Sequence, residues 1–478
     1  NGNKYWKYGG DYAPSNYHND TNFCMNGLVN PDRTFHPAMA EIKKVYQDVK
    51  FSLESISENI KIKLDNQYFF TNLSEFDFKY EIIKDGVIIK IGEFNLDLEP
   101  QSSKIITLSL DANLLNELKK EEGLKAKDYH LNLFGIQKKE KNLIPSNHLL
   151  FAEQIELIKS NFKNQLTLET ESIKIKSSKD LIRVYNKGIE INFNKTSGEL
   201  VAYKINNNEF IDKAPYLNFW RAPIDNDYGN KLPVRSKEWK IASHNRKLKS
   251  FDYEKINNSL IKITSKYELK NLSSFYITEF LINGKGEMRI TNDFKYNGEL
   301  KDAEMPRFGM NLQIPKSYYN VKWYGRGQHE NYIDRKNSAF KGIYNSTVSD
   351  LGFDYSRPQE NGYRIENRWL QLTNKAGVGF KVYGDPYISF SAHFNTIEDF
   401  DDGLSENKPG QKSSPRSRIV KKQRKPIDVP KRDFISLNID LKQMGVGGDN
   451  SWGARPLKKY LIQPNSYKYS FIIKPITN

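Results

Sequence analysis

Gly188-Ile189-Glu190-Ile191-Asn192-Phe193 and Leu200-Val201-Ala202-Tyr203 flank the turn cluster Lys195-Thr196-Ser197-Gly198, and this stretch decides the fold class. Apolar residues fall at every second position of the first run, which puts Ile189, Ile191 and Phe193 on one face of a strand. Lys195 to Gly198 has the composition that reverses a chain between two strands. Similar alternation recurs at Leu260 to Tyr267, Met288 to Phe294 and Tyr467 to Ile473, and helical periodicity is almost absent from 175 to 478. The span is long for one sandwich, yet no compositional linker divides it and no fixed-period repeat appears. One large two-sheet domain over 175–478 is the simplest reading.

Upstream, residues 51–160 are also β in pattern. Ile60-Lys61-Ile62-Lys63-Leu64 alternates, and Tyr80 to Ile89 reads as a hairpin whose Asp85-Gly86 suits a two-residue turn with positive φ. Ile105 to Leu110 and Tyr129 to Phe134 add strands, with a short helical stripe between them from Ala112 to Leu124. Several short strands in a segment of this size suggest an immunoglobulin-like or fibronectin-like sandwich, with 161–174 as linker. Residues 1–50 make no domain alone. Pro37 is placed as a first helical residue, and Ala38, Ile42 and Val45 recur at helical spacing. A loop and one helix with a single apolar face are what the last unit of a (β/α)8 barrel would contribute.

Composition narrows the function classes. At 478 residues two or three domains can each bury a core. The 28 Tyr and 27 Phe favour strands and sugar-facing surfaces over helical bundles. No apolar run is long enough to span a membrane. The one cysteine, Cys24, rules out an intramolecular disulfide and a thiolate metal cluster. No signal peptide is visible, so cytoplasm and periplasm both stay open. The net charge of +15 invites a nucleic-acid reading, but ten Lys and Arg against one Asp between Lys408 and Arg432 supply 10 − 1 = +9 of it. That tract is rich in Pro, Gly and Ser and poor in aromatics. It reads as a solvated insertion, with an anionic-polymer patch as the sharper alternative. No nucleic-acid partner is expected.

Two stretches carry chemistry. Phe23-x-x-Asn26 lies in Asn19-Asp20-Thr21-Asn22-Phe23-Cys24-Met25-Asn26-Gly27-Leu28-Val29; alone, Asn26-Gly27 is a turn. Trp452 follows Gly447-Gly448-Asp449-Asn450-Ser451. A lone Trp in a β-rich chain is more often core, but a polar, glycine-rich segment cannot easily bury one. An exposed indole offers an apolar face to a sugar ring. Arg221-Ala222-Pro223-Ile224-Asp225-Asn226-Asp227 and Gly325-Arg326-Gly327-Gln328-His329-Glu330-Asn331-Tyr332-Ile333-Asp334-Arg335 read as loops tied by Arg–carboxylate bonds, with Glu330 as a catalytic acid the minor alternative. A calcium loop from Asp225 fails, since Ser236 stands where its last acid belongs. The seven histidines show no metal-ligand spacing, and no nucleophile elbow, Walker loop or complete GxGxxG is present.

The two stretches, in order and with Met444-Gly445-Val446 before the second, resemble signatures of the large, lactase-type β-galactosidases of glycoside hydrolase family 2. The resemblance covers essentially the whole chain. It implies a mostly β fold: the end of a (β/α)8 barrel at 1–50, an immunoglobulin-like sandwich at 51–160, and a large galactose-mutarotase-like β-supersandwich at 175–478. It implies a retaining β-galactosidase acting on terminal non-reducing β-D-galactosyl residues, as in lactose or galactan. The Phe23 backbone carbonyl and the Asn26 side chain would help hold a sodium ion against the sugar, and Asn19 a peripheral magnesium. Trp452 would stack on the leaving sugar. The family's two catalytic glutamates would precede Asn1, so no catalytic residue is expected within the chain and the chain alone should be inactive, the missing N-terminal part being its partner. Thr21-Asn22 departs from the Arg-Gln of some members. A non-catalytic small subunit of a two-chain enzyme and a stand-alone galactan-binding module are the alternatives. A homo-oligomer is the expected assembly.

Overall fold

The computed structural model describes residues 4–7, 11–12, 25, 27–120, 127–160, 163–168, 170–401 and 425–477. Strands Ile189–Asn194 and Leu200–Ile205 pair antiparallel, with Ile191 opposite Tyr203, and Ile191 and Phe193 are fully buried. Alternation thus fixes the inward face, as the hydrophobic period requires.

The chain divides into two compact units. One comprises 1–37, 164–336 and 344–478. Its five-stranded sheet runs Asn208–Glu209, Leu200–Ile205, Ile189–Asn194, Leu181–Tyr185, Lys174–Ser177. Its twelve-stranded sheet follows the order Lys213–Asn218, Arg307–Pro315, Phe434–Gln443, Gly379–His393, Tyr467–Ile476, Met288–Lys295, Ser274–Asn283, Leu260–Leu269, Lys247–Asn257. Asn320–Gly327 joins it through Arg364–Thr373, which pairs with Gly379–His393. The sheets meet at contacts such as Phe193 on Phe280, with ring centroids 5.0 Å apart. Phe219, Trp239, Phe294 and Phe308 form a second aromatic knot. Each such ring contributes roughly 1.5–3 kcal/mol by leaving water.

The other face of the central strands is buried too, but polar. Asn218 and Asn311 each donate to Asn438 Oδ1 at 3.0 Å, and Asn438 donates onward to Ser391 Oγ at 3.0 Å. Such a row is tolerable because its members satisfy one another. Helix Lys237–His244, which the sequence reading does not anticipate, buries Trp239, Ala242 and Ser243.

The second unit comprises 38–163 and 337–343. Val49–Ile56, Ile60–Asn66 and Ser102–Leu108 form one sheet. Val87–Phe94, Phe76–Lys84, Tyr129–Gln137 and Leu149–Ile158 form the other. The hairpin turn sits at Asp85 (φ 48°) and Gly86 (φ 84°), the positive-φ pair expected from Asp-Gly. Phe51, Phe76, Phe78 and Phe151 centre the core. Helix Ala112–Lys120 lays Leu114 and Leu118, four residues apart, into it. Helix Ala38–Val45 buries none of its residues and is held by charge instead. Lys44 pairs with Glu153 at 2.6 Å, and Glu41 accepts the N–H groups of Asn337 and Ser338 at 3.0 and 2.9 Å. Along the apolar stripe Ala38 and Ile42 are half-buried, while Val45 stays 57% exposed.

Candidate functional site: the rim around Trp452

The loop from Met444 to Ala454 leaves the end of strand Phe434–Gln443 and carries the indole. Its base is pinned by backbone: the Met444 N–H donates to the Pro306 carbonyl at 3.1 Å, and the Gly445 N–H to that of Tyr460 at 2.9 Å. The Asp334 carboxylate then accepts the N–H groups of Val446 and Gly447 at 3.2 and 2.7 Å. Val446 packs on the stacked pair Tyr332 and Tyr363. Glycine is needed at 445, since a Cβ there would stand 2.4 Å from Asp334 Oδ2. Farther out, Asn450 Oδ1 accepts the N–H groups of Trp452 and Ala454 at 3.0 and 3.1 Å, tying a local turn. Trp452 itself is 70% exposed.

The facing wall is helix Asp225–Gly229. Its acids divide the work. Asp227, fully buried, pairs with Arg221 at 2.8 Å and accepts the Ile224 N–H at 2.9 Å. Burial pushes the Asp227 carboxyl up, against the opposing pull of Arg221. Asp225 pairs with Arg357 at 2.8 Å, and the Arg357 guanidinium lies 4.5 Å from the Tyr228 ring centre. Between them Asn226 faces the tryptophan loop. Its Nδ2 donates to the Asn450 carbonyl at 2.7 Å, and its Oδ1 accepts the Gly453 N–H at 3.2 Å.

Glu330, 3% exposed, accepts from Arg335, from the Tyr355 hydroxyl at 2.5 Å and from the Gly362 N–H at 2.7 Å. It holds loops together and does not face a cleft as a free acid. Tyr355 and Phe353 meet the His36 ring edge-on, with centroids 6.1 and 5.6 Å away. Burial, seconded by Arg335, lowers the His36 pKa, so the ring is neutral at pH 7. Its Nε2 lies 2.9 Å from Asn30 Oδ1, which selects the tautomer with the proton on Nε2. Ser356 lies 3.9 Å from the Met25 sulfur. The segment beside Asn26 thus borders the loop 353–357, the loop bearing Trp452 borders helix Asp225–Gly229, and Arg357 and Asp225 join these two supports. Phe23, Asn26 and Asn19 themselves lie outside the described residues, as does the tract from 402 to 424.

Behind the rim, Arg307 binds Asp440 at 3.0 Å and Glu360 at 3.2 Å, and lies 5.3 Å from the Tyr363 ring centre. Burial raises Asp440 to about 7, countered by Arg307. A cavity of about 10 Å³ lined by Arg307, Glu360, His393 and Asn438 opens beside this cluster. It has room for about one water and none for a sugar. Among the described residues no group of three or more His, Cys, Asp or Glu gathers to hold a metal ion. Asp225, Asp227, Glu330 and Asp334 are engaged by arginines or backbone N–H groups, so these four acids serve to hold the rim's loops. Asn226 and Asp334, quoted within motifs but given no role by the sequence, are the residues the geometry adds. The only hint was glycine: Gly445 and Gly448 leave room for a side chain to reach the backbone, and a Cβ on Gly448 would lie 2.6 Å from Asn226 Nδ2.

The family model described as "Beta galactosidase small chain" matches residues 185–473, more than half of the chain. "Beta-galactosidase, domain 4" matches 62–158, and "Glycosyl hydrolases family 2, TIM barrel domain" matches 1–51. The β-galactosidase of Priestia megaterium is 30% identical over 480 residues, covering 99% of this chain and 43% of its own length. That of Psychromonas ingrahamii is 28% identical over 497 residues, covering 99% and 43%. That of Clostridium acetobutylicum is 32% identical over 345 residues, covering 71% and 36%. The chain thus spans less than half the length of these curated relatives. Among solved structures, the galactose 1-epimerase from Lactobacillus acidophilus NCFM aligns with 64% of this chain and 98% of its own at 9% identity and TM-score 0.33, a distance that supports no inference.

Proposed function

Because this chain belongs to the β-galactosidases of glycoside hydrolase family 2, we propose that it supplies the sugar-positioning part of a retaining β-galactosidase. The substrate class is terminal, non-reducing β-D-galactosyl residues, with lactose and galactan oligosaccharides both eligible. Trp452 is the platform on which the leaving sugar stacks. The observation that carries this is an indole left 70% exposed on a loop tied down by hydrogen bonds on both sides of it. Burying so large an apolar face on a ligand is favourable by roughly 1.5–3 kcal/mol. Such positioning lowers the barrier only to the extent that it sharpens in the transition state.

The catalytic carboxyls of this proposal come from polypeptide outside the chain. The Phe23 carbonyl and the Asn26 side chain would help hold a sodium ion, and Asn19 a magnesium ion. Neutral oxygen donors suit a hard monovalent cation, so the donor types fit. The chain alone is then expected to leave a chromogenic β-galactoside intact, while the chain joined to the upstream catalytic part cleaves it, and Trp452→Ala weakens that activity. Turnover by the purified chain alone would overturn the division of labour. The small-chain match over 185–473 supports a second reading, a non-catalytic subunit that completes a partner's site. Activity regained by mixing separately made chains, and not otherwise, is the result that selects it.

A further inference from the structure

Resting on the reading of Trp452 as a sugar platform, we propose that Asn226 and Asp334 are positioning residues that hold the Trp452 loop in its sugar-binding conformation. A tryptophan on a run of Gly447, Gly448, Asp449, Asn450 and Ser451 has little local reason to stand still. Glycines leave the backbone many conformations to lose, and an indole 70% exposed has little packing to fix it. The loop is fixed by side chains from elsewhere in the fold. The Asn226 amide spans the tryptophan: it donates to the carbonyl two residues before it (Asn450, 2.7 Å) and accepts the N–H one residue after it (Gly453, 3.2 Å). Asp334 takes the N–H groups of Val446 and Gly447 at the loop's root. Only a side chain with both a donor and an acceptor can make the first bridge, so asparagine is specified over aspartate at 226.

The clamp is itself anchored. Asp227 beside Asn226 is fully buried on Arg221, and Asp225 on its other side is tied to Arg357. Arg335, the neighbour of Asp334, is bound by Glu330. Neither Asn226 nor Asp334 has to touch sugar, so each acts through Trp452. Loosening them should weaken binding of the leaving or acceptor sugar and spare the galactose-binding side.

The test labels the full chain with 5-fluorotryptophan and assigns the Trp452 fluorine resonance with Trp452→Phe. In Asn226→Ala, and in the milder Asn226→Asp and Asp334→Asn, that resonance is expected to shift or narrow toward a mobile signal while the other tryptophans hold theirs. In the enzyme carrying this chain, Asn226→Ala is expected to weaken an acceptor sugar such as glucose about 10-fold, the loss of two ordinary hydrogen bonds. The inhibition constant for galactose is expected not to change. Added to Trp452→Ala, the same change should have no further effect. An unchanged Trp452 resonance in all three variants would overturn the clamp. So would an altered resonance with acceptor affinity intact while Trp452→Ala lowers it. If Trp452→Ala itself leaves acceptor affinity untouched, the platform reading is what has failed.

Discussion

Replacing Glu330 distinguishes a structural acid from a catalytic one, and the structure fixes the size of the effect. Its carboxylate is 3% exposed and receives the Gly362 N–H at 2.7 Å, the Tyr355 hydroxyl at 2.5 Å and the Arg335 guanidinium. Burial would lower the pKa of Arg335, and Glu330, joined by Tyr355 and Tyr332, more than reverses this, with Glu330 the largest of the three, which marks the arginine as dependent on its partner. Removing one member of a buried ion pair costs about 3–5 kcal/mol because the other charge is stranded. Arg335 keeps 15% of its side chain in solvent, so water meets part of that loss. The two other donors would lose a charged acceptor, each bond being worth about 1.5–3 kcal/mol, though losses at one group do not add fully. Glu330→Ala is therefore expected to destabilise its unit by about 4 kcal/mol. Glu330→Gln keeps one carbonyl but turns an N–H₂ toward donors, and should cost about 2–3 kcal/mol. All six tryptophans lie in this unit and none in 38–163 or 337–343, so indole emission during guanidinium unfolding reports it selectively. A shift under about 0.5 kcal/mol, the range of an ordinary surface change, together with lost turnover would refute the structural assignment.

Three further outcomes follow from the packing and electrostatics. Burial lowers His393 to about 4, partly opposed by the carbonyl of Asn361, so between pH 6.5 and 4 the unfolded chain takes a proton that the folded one refuses. Stability should fall across that window by about 2 kcal/mol after discounting for partial exposure, and His393→Gln should flatten the slope of unfolding free energy against pH. Phe151→Ala empties the centre of the Phe51, Phe76 and Phe78 cluster and should cost about 3–5 kcal/mol by circular-dichroism denaturation, with Phe151→Leu costing less. Gly86→Ala places a Cβ at φ 84° in the hairpin turn and should cost about 1 kcal/mol by the same assay, more than Asp85→Asn at φ 48°.

How far the sequence could be read depended on what each residue's neighbours were. Ile191 and Phe193 announced a strand because only one side of Ile189–Asn194 is apolar, and Asp85-Gly86 announced its turn because few other pairs accept two positive φ angles. Phe434–Gln443 alternates just as well, Ile435, Leu437 and Ile439 against Ser436, Asn438 and Asp440. Alternation alone would send the second set to water, whereas all three are buried in the asparagine row and the Arg307 cluster. Period shows that two faces differ, not that one of them is wet. Helix Lys237–His244 escaped because eight residues burying only Trp239, Ala242 and Ser243 give too short a stripe to register. At the rim, the exposure of Trp452 was legible from the polar, glycine-rich residues before it. Its holders were not. A lone asparagine inside Asp225-Asn226-Asp227 looks the same in sequence whether it caps a helix or bridges a loop more than two hundred residues away.

The rim gains its order from that distance. Met25, Ser356, Arg357, Asp225, Asn226 and Asn450 follow one another in space, by direct contact or as chain neighbours, across more than four hundred residues of sequence. Fixing one residue's backbone costs about 1–2 kcal/mol, and a loop of glycines and small polar residues buries too little apolar surface to offset that itself. The offset comes from elements ordered for other reasons: the helix held by Arg221 and Asp227, and the turn held by Glu330 and Arg335. Their cores meet the ordering cost once, and Asn226 and Asp334 then reach the tryptophan loop from supports that are already rigid. An indole can be left facing solvent and still have a defined place, because its position is set by hydrogen bonds to the backbone on either side and not by packing of the ring. That separates the group that would bind from the groups that hold it, and it leaves the ring's apolar faces uncommitted for a ligand.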